Sequence, residues 1–219
     1  MLDDKIIHDL KNPLSTIFGT VDLFLDGTLG KLTGEQEGYL ENIQESAKRL
    51  NILLAELQFI GNAEKRESSV SKSTFPAAEL IEELSWLRRS AEKNNKTIDL
   101  HSDPALMVQA DKDLTSTIIE DLLLNAVKQT EHGGKIELNI KKIGGSYRFE
   151  IKVAGEVIPK KFSKNAFDKD FIEKKPQFRA NISPGMGFYF CKLAAEAQGG
   201  RIGIELNSKE TSFYFVLPA

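Results

Sequence analysis

"IIHDLKNPLSTIFGTVDLF", residues 6–24, places Ile7, Leu10, Leu14, Ile17, Val21 and Phe24 at spacings of 3, 4, 3, 4 and 3. That repeat is the apolar seam of a coiled-coil-like helix. Leu40, Ile43, Ala47, Leu50, Leu54 and Leu57 repeat the same spacing further on. Between the two runs, "LDGTLGKLTGEQ" holds three glycines and two threonines, so the chain turns there and the helices fold back as an antiparallel hairpin. One hairpin covers only one side of each apolar stripe. Pairing of two hairpins into a four-helix bundle completes the burial, which predicts a homodimer; packing of the hairpin on the rest of its own chain is the alternative. His8 lies one residue off the seam, on a flank facing solvent or a partner. Asp9 stands beside it, Asn12 follows at i+4 on the same face, and Pro13 removes one helical N–H and predicts a bend.

The rest of the chain reads differently. "NAEKRESSVSKSTF", residues 62–75, is polar and serine-rich and reads as a linker. Beyond it, helices are predicted over 76–93, 112–129 and 187–197, and strands over 97–101 and 106–108. "KIELNIKKIGGSYRFEIKV" reads as a hairpin about Gly144-Gly145, and "RIGIELN" with "SFYFVLP" as a closing strand pair. Helices and a mixed sheet in layers make the second unit an α/β sandwich. The expected boundaries are 1–65 for the hairpin and 66–219 for the sandwich.

Composition narrows the function classes. The 219 residues carry 29 basic and 32 acidic side chains, a net charge of -3, with no basic stripe for nucleic acid and no polybasic run for lipid. No stretch reaches the roughly 18–20 apolar residues of a membrane span, and the N-terminus lacks the order of a signal peptide, so a cytoplasmic segment without direct membrane contact is expected. A single cysteine, Cys191, excludes an internal disulfide and reads as a buried apolar residue.

"HDLKNPL" on such a hairpin, followed by an α/β unit, resembles the phospho-acceptor box of sensor histidine kinases of two-component signalling. The resemblance implies that His8 accepts phosphoryl, that Asp9 is the base activating its ring, and that Asn12 is the amide that positions water for dephosphorylation of a response regulator. A neutral imidazole is a competent nitrogen nucleophile near pH 7, which fits the role. "EDLLLNAVKQT" looks like the family's N box. By that likeness Asn125 would hold Mg²⁺, Lys128 would approach the phosphates, and Asp121 lies one turn earlier on the same face. "SPGMGFYFCKLAAEAQGGRI" looks like the second glycine box, in which Gly185 and Gly187 let backbone N–H groups approach phosphate. The implied fold is the histidine-kinase-like ATPase fold, and the implied partner is a response-regulator receiver domain.

The departures from the family pattern bear on ATP. Where the first glycine box has D-x-G-x-G-I-P, this chain has "VAGEVIP": Val153 replaces the aspartate that bonds the adenine amino group, and Val157 the second glycine. Gln129 stands where a tyrosine usually packs on adenine, Ser183 replaces the first glycine of the second box, and Asp168 and Asp170 fall in the segment of the lid. Loss of a charged acceptor removes roughly 1.5–3 kcal/mol, and the added isopropyl groups exclude volume. These features predict a phosphotransferase or phosphatase exchanging phosphoryl between His8 and a response-regulator aspartate, with weak or no ATP and Mg²⁺ binding. An ATP-dependent kinase autophosphorylating His8 is the alternative, and a non-catalytic dimeric interaction module the third.

Overall fold

The structure, a computed structural model, describes residues 4–155, 157–174, 186–207 and 209–219. Helix α1 (Asp4–Leu25) runs through Pro13, and α2 (Gly34–Glu64) returns alongside it. Gly27 and Gly30, at φ of 81° and 113°, turn the chain between them in the left-handed region open to glycine. Thr33 starts α2 with a capping box: its Oγ1 accepts from the Gln36 N–H, and Gln36 Oε1 accepts from the Thr33 N–H.

The seam divides as a single hairpin requires. Ile7, Leu14, Ala47 and Leu54 form a buried cluster, with Val21 buried in the next layer. Leu10, Ile17, Ile43, Leu50 and Leu57 alternate with them and stay 41–46% exposed. Each helix thus buries half of its stripe within the chain and presents the other half outward.

The second unit starts inside the stretch read as linker. Residues 62–64 finish α2, and residues 73–76 form β1 (Ser73–Pro76), which pairs antiparallel with β3 (Met107–Ala110). Serine and lysine content hid this short strand, whose inward residue Phe75 is buried. The helix expected over 76–93 is two, α3 (Ala77–Glu83) and α4 (Ser85–Lys93), broken at Leu84 with ψ near 0°. Then come β2 (Thr97–Ser102), α5 (Lys112–Gln129), β4 (Lys135–Ile143), β5 (Ser146–Ala154), the short α6 (Lys169–Lys174), α7 (Gly187–Ala197), β6 (Arg201–Leu206) and β7 (Glu210–Pro218).

Five strands form one sheet in the order β2-β4-β5-β7-β6, parallel at β2–β4 and antiparallel elsewhere. Alternation along β5 buries Tyr147, Phe149, Ile151 and Val153 on one face, where α5 and α7 pack. Phe149 stacks on Phe215 of β7 with ring centroids 4.4 Å apart. The opposite face is polar, with Arg148 bridging Glu150 and Glu205 across strands. Asp111 caps α5 through the Leu114 N–H, accepts from the Ser71 N–H, and donates its own N–H to Gln198 at the end of α7. One buried residue therefore fixes the linker and α5 through its carboxylate and α7 through its backbone N–H.

The hairpin joins this core as well. A second apolar face of α2, Ile52, Phe59 and Ile60, is continuous with the core formed by α5 and α7. Phe59 meets Phe190 of α7 edge-on at 5.6 Å.

Candidate functional site

The candidate residues fall into two groups, one on each unit. On α1, His8 and Asp9 are open to solvent, with side chains 74% and 64% exposed and Nδ1 of His8 3.6 Å from the Asp9 carboxylate. Asp9 therefore faces one ring nitrogen and leaves Nε2 directed away from it. Asn12 is exposed one turn on, and its carbonyl accepts from the Thr16 hydroxyl. Lys11 Nζ donates to Gln58 Oε1 at 2.8 Å, which sets His8, one turn earlier, beside the last turns of α2. The placement of His8 off the seam agrees with the helical spacing of the sequence.

On the second unit, α5 brings Asp121 and Asn125 into the interior one turn apart. Asn125 Nδ2 donates to the Asp121 carbonyl at 2.8 Å and to Oδ2 at 3.2 Å. Lys128, one further turn along and exposed, lines the same crevice of about 290 Å³ with both of them. Leu124, Val127 and Lys96 add to its wall from the second unit, and Arg49, Ile52, Leu53 and Glu56 close it from α2.

Gly187, the first residue of α7, abuts this group. A Cβ there would stand 2.4 Å from Asp121 Oδ1, a contact that only glycine avoids. Gly187→Ala should destabilise the fold by roughly 1–3 kcal/mol, because Asp121 is already held by Asn125 and Cys191; a denaturant midpoint equal to that of the parent chain would contradict this packing. Gly185 and Ser183 lie outside the described residues.

Sequence reading missed Glu56. It sits on α2, is 2% exposed, and shares a hydrogen bond with Asp121. Burial, reinforced by the neighbouring Asp121 charge, raises Glu56 far above the usual carboxylate range. Burial raises Asp121 less, since the Cys191 thiol and Glu56 bond to its ionised form. At neutral pH the proton of the pair resides on Glu56, which donates to Asp121. Cys191, 3.5 Å from Asp121 Oδ2, is driven well above its ordinary value by burial and by that charge, so it is an inert thiol as its apolar reading implied. A second apolar spacing in α2, Ile52, Phe59, Ile60 and Ala63, could have signalled that this helix buries two faces.

In the region matching the first glycine box, Val153 is turned into the core. It is 1% exposed and pairs across the ladder with Thr211. The Thr211 hydroxyl donates to the Gly155 carbonyl and accepts from the Val157 N–H, so it holds the loop. Asp168 accepts from Lys192 of α7 at 2.6 Å, and Asp170 is paired with Lys174 on its own short helix. Among the described residues, neither acid replaces the carboxylate missing at position 153. No group of three or more described His, Cys, Asp or Glu residues is arranged to hold a metal ion. No described helix is long and apolar enough to cross a membrane.

Comparison with known proteins places both units. Residues 5–65 match the His Kinase A (phospho-acceptor) domain, and residues 110–219 match the histidine kinase-, DNA gyrase B- and HSP90-like ATPase family. Sensor protein SrrB of Staphylococcus aureus (strain NCTC 8325 / PS 47) is 24% identical over 216 residues, which is 98% of this chain and 37% of the relative. The chain thus spans little more than a third of the length of the curated relatives it matches. Full-length ShkA in complex with AMPPNP superposes with a TM-score of 0.67 at 22% identity, over 98% of this chain and 45% of that one. The histidine kinase ThkA in complex with the response regulator TrrA superposes at 0.59 with 19% identity, over 98% and 60%. The histidine kinase AdeS of Acinetobacter baumannii gives 0.59 at 18%, over 96% and 97%. These likenesses confirm the fold, a helical hairpin followed by an ATPase-type α/β unit.

Proposed function

The chain belongs to the histidine kinase-, DNA gyrase B- and HSP90-like ATPase family, in the arrangement of a sensor histidine kinase catalytic core, and from that premise we propose that it is a phosphotransfer protein of two-component signalling. In this reading His8 exchanges phosphoryl with the aspartate of a response-regulator receiver domain, and its own second unit binds ATP weakly or not at all. Nε2 attacks the phosphorus of the receiver's aspartyl phosphate, forming a P–N bond as the P–O bond to the carboxylate breaks. The aspartate leaves as its carboxylate, and Asp9 holds the proton on Nδ1 and stabilises the positive charge that the ring gains. In the reverse direction the receiver carboxylate displaces the imidazole. Asn12, one turn along the same exposed face, would position water against the receiver's aspartyl phosphate.

The observation that carries the weak-nucleotide reading is Val153. A site that recognises adenine presents an acceptor to the exocyclic amine, whereas here an isopropyl group fills that position and the adjacent Thr211 hydroxyl is engaged by Gly155 and Val157. ATP-dependent autophosphorylation of His8 is the second reading. It is favoured by Asp121, Asn125 and Lys128 converging on one crevice, the positions that in the family approach Mg²⁺ and the phosphates.

Leu10, Ile17, Ile43, Leu50 and Leu57, half-exposed along one side of the hairpin, support pairing with a second copy in a four-helix bundle. The fraction of its relatives that the chain covers supports its being the cytoplasmic part of a larger sensor. The receiver partner is supported by ThkA, whose structure holds a response regulator. The test is incubation of the chain with a receiver domain charged by a small phosphodonor, without nucleotide. Acid-labile label appearing on His8 is the expected outcome; label that requires Mg-ATP instead would move the conclusion to the kinase reading.

A further inference from the structure

Glu56 is the only side chain among the described residues with a buried oxygen or nitrogen that lacks a hydrogen-bond partner, its Oε1. The carboxyl arrives from the hairpin and enters the second unit between Asp121 of α5 and the region of Cys191 on α7. Ile52, Phe59 and Ile60 flank it and belong to the same continuous core. An apolar side chain at position 56 would simply extend that seam. An acid does the reverse: docking strips water from both of its oxygens, sets it against a second carboxyl, and returns a partner to only one of them.

What docking covers is also defined. Glu56 and Arg49 overlie the crevice that holds Asp121, Asn125 and Lys128. Lys169 of α6 is ion-paired to Glu64 at the end of α2, so the second unit also lies along the stretch of hairpin beside His8.

We propose that Glu56 is a release latch: it keeps the docked arrangement of hairpin and second unit marginal, so that the two separate to uncover the Asp121–Asn125 face and the flank of α2 next to His8. The latch operates whatever group phosphorylates His8, so it and the phosphotransfer reading stand or fall separately.

Cys191, fully buried, bonded to Asp121 and within reach of the Glu56 charge, reports on the separation. Its alkylation by N-ethylmaleimide at pH 7 in the full chain follows the separated population when opening and closing outrun the reaction. Glu56→Gln has no ionised form to surrender on docking and still donates an N–H to Asp121, so it should slow alkylation about tenfold or more. Phe59→Ala removes an attractive contact at the same junction and should accelerate it about tenfold or more. A Glu56→Gln rate equal to or above that of the parent chain overturns the proposal. So does a Phe59→Ala rate equal to the parent's, because alkylation would then not follow the contact.

Discussion

Replacing His8 with alanine should abolish phosphoryl exchange with a receiver domain, by at least about a thousandfold, as expected when the nucleophile of a transfer is deleted. The same change should leave stability within roughly 0.5 kcal/mol, because the His8 side chain is 74% exposed and contributes nothing to the seam. The seam residues on either side, Ile7 and Leu14, are buried and unaffected, so the oligomeric state should also be preserved. Asp9→Asn should retain the acceptor and slow transfer by about 10²-fold or more, the range for loss of a positioned base. Exchange that persists in the His8→Ala chain would remove this helix face from the mechanism.

The second large effect is on stability against pH. In the folded chain burial lifts Glu56 to about 9 from an ordinary value of 4.5, so it keeps its proton far above the point where an unfolded glutamate has lost it. Between those values the folded state binds more protons than the unfolded one, and stability falls as pH rises. The slope for one proton is about 1.4 kcal/mol per pH unit, and the loss is complete once pH passes the folded value. Burial raises Asp121 as well, and it contributes with the same sign. The two carboxyls share the contact, so the downward slope belongs to the Glu56–Asp121 pair. Around Glu56 stand Asp121 and Lys128 on α5, Cys191 on α7, Lys96 before β2, and Arg49 on its own helix. Asp99 and Glu137, whose values are lowered by Lys135, act in the opposite sense and only at acid pH. Urea midpoints measured from pH 5 to 9 should decline for the parent chain and decline less for Glu56→Gln. A parent chain whose midpoint rises over that interval would contradict the buried pair.

The hairpin and the main sheet were legible because each follows a single dominant period. The 3-4 spacing of Ile7 to Phe24 and the alternation of Tyr147 to Val153 each sort one buried face from one exposed face, and α5, α7 and the β4–β5 hairpin occupy the residues the patterns predict. The break at Leu84 and the strand at Ser73–Pro76 were not legible. The first is a backbone setting within an unbroken amphipathic run, and the second is fixed by pairing with β3 from a distance. His8, Asp9 and Asn12 could be placed on one exposed face from helical geometry alone. Glu56 could not, because local polarity assigns a glutamate to solvent and only the docking of α5 and α7 against α2 buries it. Thr211 escaped for a related reason: its hydroxyl acquires its role from a loop 56 residues away.

The weak-nucleotide reading rests on buried Val153 standing where the family pattern has an aspartate, with Thr211 engaged beside it. A calorimetric titration of the full chain with Mg-ATP tests it most directly. Separating a millimolar from a micromolar dissociation constant requires only about 4 kcal/mol, which lost hydrogen bonding and excluded volume at this position can supply. The predicted result is no saturable heat up to about millimolar nucleotide, while phosphorylated receiver domain still labels His8. A micromolar dissociation constant for Mg-ATP would contradict it and establish the second unit as a working nucleotide site.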